Sequence, residues 1–104
     1  VLAEALRKTN LDLSGIDDIG KKLLETIAIN SAQGQPLVVT QTMELSEIAS
    51  PATIHRRISK LLKAGLIEVV KSDHNQKIKF LVPTQVSIDY FDKLGKLMTS
   101  AMRT

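Results

Sequence analysis

A chain of 104 residues that is 43% apolar and 24% charged has the size and make-up of one soluble globular domain, able to bury a core without metal or disulfide staples. Its lack of cysteine excludes a disulfide framework, thiolate catalysis and a cysteine zinc site, and no apolar run approaches the ~20 residues that span a bilayer. The net charge is a modest +3 and no basic-then-apolar leader opens the sequence, so the expectation is a single cytoplasmic domain over residues 1–104 with no membrane partner.

Residues 1–10 set Leu2, Ala5 and Leu6 on one side and Glu4, Arg7 and Lys8 on another, which predicts a short amphipathic N-terminal helix. A core helix is expected over 14–33, capped by Ser14, with Asp17 and Asp18 near its positive end. It carries Ile16, Ile19, Leu23, Leu24 and Ile27 at helical spacing and stops around Gln33 and Gly34. After Pro36, the run Leu37 to Val39 predicts an edge strand or an extended lead-in. Thr40 reads as the cap of a short helix from Gln41 to about Ser46, with Met43 and Leu45 as candidates for burial and Ile48 starting the turn out of it. Ser50-Pro51 then marks another start, a cap followed by a proline whose missing N–H has no helical partner anyway. That helix runs to Ala64 with Ile54, Ile58, Leu61 and Leu62 turned inward, and Gly65 suits a left-handed stop.

From Leu66 to Lys71 the pattern is that of a strand, Ser72 to Gln76 is turn chemistry, and Lys77 to Val82 alternates as a second strand. Pro83-Thr84 ends this hairpin and caps a last helix over 84–103, whose residues Val86, Tyr90, Phe91, Leu94, Leu97, Met98, Ala101 and Met102 form a wide apolar surface. Two short helices joined by a tight turn (40–64) and followed at once by a hairpin (66–82) give the expected fold class, mainly α with a small β-hairpin wing: a winged helix-turn-helix.

Charge is distributed unevenly along these elements. Residues 1–54 hold four Lys/Arg against seven Asp/Glu, whereas residues 55–82 hold seven against two, a local excess that suits a phosphate-binding surface. Helical geometry turns Ala52, Thr53, Arg56, Ser59, Lys60 and Lys63 outward from the greasy side of helix 51–64. No acid lies between Pro51 and Gly65, and small residues near the helix start let the backbone approach base edges while long cations reach bases or phosphates. Arg56 is the candidate for a bidentate guanine contact, Lys60 and Lys63 for phosphate anchors, and Arg57 is a further cation of the same stretch. Thr40, Gln41 and Thr42 open the preceding helix, where free N–H groups and hydroxyls suit a phosphate oxygen, although plain capping accounts for Thr40 equally well. In the hairpin, Lys71, Lys77 and Lys79, with His74, Asn75 and Gln76 at the tip, suit the neighbouring backbone or minor groove. The alternative is that these lysines only guard an exposed strand edge. His55 and His74 have no partner at metal-ligand or triad spacing, and three aromatics are too few for single-strand stacking platforms.

The stretch Ser50-Pro51-Ala52-Thr53-Ile54-His55-Arg56-Arg57-Ile58, with Leu61 and Lys63 to Glu68, resembles the recognition helix and first wing strand of the multiple-antibiotic-resistance regulator (MarR) family of bacterial winged-helix repressors. Leu81-Val82-Pro83-Thr84 is similar to that family's return from wing to last helix. The resemblance covers roughly residues 16 to 98 and implies a homodimer through the N- and C-terminal helices on a two-fold-related operator. In the wing the family's acid is matched by Asp73, while Gln76 and Lys77 stand near the place of its tip arginine. The expected function is a sequence-specific regulator of duplex DNA, a repressor, that performs no catalysis and needs no cofactor or metal. The alternative is a winged-helix protein-interaction module.

Overall fold

The structure, a computed structural model, describes residue 13 and residues 15–103, the side chains of 97–103 excepted. The helix expected over 1–10, Ser14, and the side chains of Leu97, Met98, Ala101 and Met102 lie outside the described residues. The first helix, α1 (Asp18–Ala32), is capped by Asp17, whose Oδ1 accepts the Gly20 N–H at 2.9 Å. The start is therefore three residues beyond the expected Ser14, because the carboxylate has the reach to satisfy an orphan N–H of the first turn. At its other end Gly34 takes φ +76°, the left-handed stop that only glycine adopts freely.

Strand β1 (Leu37–Val38) runs straight into a one-turn helix, α2 (Val39–Thr42). The sequence pattern places this helix at about Gln41 to Ser46 with Thr40 as cap, and the structure corrects both limits. Gln41 Oε1 accepts the Val38 N–H at 3.3 Å, and the Thr42 hydroxyl donates back to the Val38 carbonyl at 3.1 Å, so the turn closes around Val38 and leaves Thr40 inside it. Residues 43–49 continue as turns, with Leu45 N–H bonded to Thr42 O at 3.3 Å and Ile48 N–H to Leu45 O at 2.9 Å.

Helix α3 (Pro51–Lys63) keeps its expected limits. The Ser50 hydroxyl accepts the Thr53 N–H at 3.3 Å, Pro51 stands at the first helical position, and Gly65 has φ +73°. Strands β2 (Ile67–Lys71) and β3 (Lys79–Pro83) form the hairpin; its loop closes with Ser72 N–H on Ile78 O and Ile78 N–H on Asn75 O, each 2.9 Å. These bonds hold 72–78 as loop, so the second strand begins two residues later than its alternation implied. The antiparallel sheet has the order β1-β3-β2, with Leu37 and Val69 both facing Leu81. Helix α4 (Gln85–Arg103) follows.

The core joins these pieces. Leu23, Leu24 and Ile27 of α1 meet Ile54, Ile58 and Leu61 of α3, with Leu66, Ile67 and Leu81 closing the sheet side. Each such side chain contributes roughly 1.5 to 3 kcal/mol on leaving water. Leu62 differs from expectation, being 37% exposed. It lies about 80° around the helix from Ile54 at 100° per residue, on the flank of the apolar stripe.

Candidate nucleic-acid interface

Because α3 commits one side to the core, its other side is fixed as solvent-facing. Ala52, Arg56, Lys60 and Lys63 are exposed, while Thr53 and Ser59 are half-buried at the margins. Arg56 Nη2 donates to Thr53 Oγ1 at 3.4 Å, and Thr53 Oγ1 in turn accepts the Ser50 hydroxyl at 3.0 Å, so the arginine rests against the first turn of its own helix. Among the described residues, Arg56, Lys60 and Lys63 form no ion pair. Lys60 and Lys63 also fall in the last turn, where a cation complements the negative end of the helix.

Arg57 departs from the expected surface. Its Nε donates to Asp17 Oδ2 at 2.8 Å across forty positions of sequence, with the two side chains 27% and 48% exposed. The guanidinium is thus directed at the start of α1 and away from the face that carries Arg56. The Gly20 N–H hydrogen bond, followed by the Arg57 and Lys60 cations, holds the Asp17 carboxyl below its ordinary value against an opposing effect of desolvation. From the sequence Asp17 reads only as a first-turn acid, since nothing local to it signals a partner on a distant helix.

Thr42 also has to be withdrawn from the interface. It is wholly buried, and its hydroxyl is spent on Val38 O; a β-branched residue in the last turn of α2 satisfies its own donor within the helix. Thr40 and Gln41 remain exposed.

No protein-family model matches the sequence, and no curated protein matches it. The structure is similar to that of the heme sensor protein PefR from Streptococcus agalactiae in complex with heme, at 16% identity and a TM-score of 0.56 over 95% of this chain and 67% of that one. It is similar also to a mutant of MepR from S. aureus, at 17% identity and a TM-score of 0.57 over 95% of this chain and 74% of that one. An uncharacterized SlyA-like transcription regulator from Listeria monocytogenes matches at 19% identity and a TM-score of 0.50, over 96% and 67%. The fold is a winged helix, shared with these MarR-family structures. Identity this low carries the likeness of fold and no more.

In this winged helix the wing is the β2–β3 hairpin. Its stem pairs Lys71 directly with Lys79, both exposed, and like charges opposite each other on one face of a sheet are destabilising. Lys77, Gln76 and Asn75 are exposed at the tip, where the Lys77 N–H is held by Asn75 Oδ1 at 3.0 Å and the His74 N–H by Ser72 Oγ at 3.2 Å. Helices α1 and α4 line an open groove of about 310 Å³ formed by Glu25, Ala28, Ile29, Ala32, Phe91 and Leu94. Among the described residues, no group of three or more His, Asp or Glu is arranged to hold a metal ion, and no helix is long and apolar enough to cross a membrane.

Proposed function

We propose that the chain is a cytoplasmic regulator of transcription, a repressor, that binds duplex DNA sequence-specifically as a homodimer and carries out no catalysis. The observation that carries this reading is the exposed side of α3, where Arg56, Lys60 and Lys63 form no ion pair among the described residues. A helix set on a winged-helix body with such a side suits the major groove: Arg56 for a guanine edge, Ala52, Thr53 and Ser59 for close approach, Lys60 and Lys63 for phosphates. Thr40 and Gln41 suit a flanking phosphate. The opposed Lys71 and Lys79 support a role for the wing, because an interposed phosphate turns their repulsion into attraction, and Lys77, Asn75 and Gln76 extend that reach. Repression and the two-fold operator follow from the MarR resemblance.

Selection of bound duplexes from a random pool tests this directly. An enriched motif with two-fold symmetry is expected, with affinity falling against salt at a slope of about −0.9 per neutralised phosphate. Arg56→Ala should weaken the selected duplex by roughly 1 to 3 kcal/mol and random duplex much less; equal losses on both make Arg56 a backbone contact. The competing reading, a protein-interaction module on the same fold, is favoured by the apolar groove between α1 and α4 and expects no duplex to be retained at near-physiological salt.

A further inference from the structure

We infer that Arg57 is a positioning residue, and that its ion pair with Asp17 fixes the rotation of α3 about its own axis and thereby the aim of Arg56; the inference rests on the DNA-reading function proposed above. The apolar contacts of Ile54, Ile58 and Leu61 are non-directional. The ion pair is directional. Asp17 uses one carboxylate oxygen for each donor, Oδ1 for the Gly20 N–H at 2.9 Å and Oδ2 for Arg57 Nε at 2.8 Å, so it cannot swing without losing one of them. The tie therefore runs from the side of α3 to the backbone of α1.

The angular placement of the two arginines suits this division. At 100° per residue Arg57 lies about 60° from Ile54, toward the body, whereas Arg56 lies about 160° from it, toward solvent. A rotation of α3 by about 10°, at a side-chain radius of about 6 Å, moves the tip of Arg56 by about 1 Å. A bidentate contact to a base edge is sensitive to a displacement of that size.

The test uses the full chain, a duplex recovered by selection, a random duplex, and the variants Asp17→Ser, Arg57→Ala, both together, and Lys60→Ala. Serine keeps the cap of α1 but is too short to reach Arg57, and melting followed by circular dichroism verifies that each variant folds. Charge alone predicts that Asp17→Ser tightens every duplex, since it removes an acid beside a cationic surface. Positioning predicts the opposite on the selected duplex: a loss of roughly two- to fivefold, the scale of an exposed ion pair, with random duplex no weaker. Arg57→Ala should give the same loss with an unchanged salt slope, the double variant should lose no more than either single one, and Lys60→Ala should lower the slope by about 0.9. Tightening by Asp17→Ser, or a slope reduced by Arg57→Ala as by Lys60→Ala, overturns the positioning role while leaving DNA binding in place. Retention of neither duplex by the unmodified chain overturns both.

Discussion

Gly20 lies one turn from the Asp17 cap, and an added methyl group there meets Ile16 Cγ2 at 2.7 Å and Asp17 Oδ1 at 3.3 Å. Helix propensity favours alanine over glycine by about 1 kcal/mol, whereas overpacking costs typically about 1 to 3 kcal/mol. Ile16 is 8% exposed and its Cγ2 branches directly from Cβ, so it yields only by changing its χ1 or moving its backbone. The steric effect should prevail: Gly20→Ala is expected to lower stability in a urea titration, and a rise in midpoint would mean that Ile16 turns aside freely. Single residues of this kind were hard to read in advance. Thr42 reads from the sequence as a free hydroxyl beside a helix start, whereas in the structure it donates to Val38 O. The angular position of Arg57, by contrast, sets it nearer the apolar stripe than Arg56, a distinction that the absence of acids along the stretch does not carry.

The turn that follows α3 is held by two hydroxyls, one from Thr84 just before α4 and one from Ser87 in its first turn. Thr84 Oγ1 donates to Gly65 O at 2.8 Å, and Ser87 Oγ, wholly buried, donates to Leu66 O at 2.7 Å. Leu66 O also accepts the Thr84 N–H at 3.1 Å, so Ser87→Ala leaves no orphaned carbonyl and should cost only about 0.5 to 1.5 kcal/mol in chemical denaturation. A loss well above that range would show that the Thr84 bonds fail when Ser87 is removed. Elements with marked ends were legible in the sequence for a physical reason: Ser50-Pro51 and Gly65 supply the cap, the first-position proline and the left-handed stop of α3 within the helix itself. Helix α2 was misplaced because a single turn contains too few residues for apolar periodicity to register, and its limits depend on side-chain bonds to Val38. The same holds for the start of α1, where the sequence offers Ser14 as the cap and the bond from the Gly20 N–H to Asp17 Oδ1 sets the start at Asp17 instead.

The cationic side of α3 and the apolar groove occupy different parts of the body, and α4 leaves Val86 and Ile88 42% and 38% exposed. Apolar surface of this kind on a terminal helix suits a second copy of the chain, with paired readers on one operator. Sedimentation at tens of micromolar is expected to give a dimer, and a monomer at that concentration would remove the two-fold operator from the proposal. The sequence conveyed the order of the elements, and with it the fold, but not how far the hairpin is integrated with the rest. Strand β3 lies between β1 and β2 and bonds to both, and β1 passes directly into α2. The wing is thus a cantilever rooted beneath the helix-turn-helix, and a load applied at its tip is borne by the same rib that launches α2.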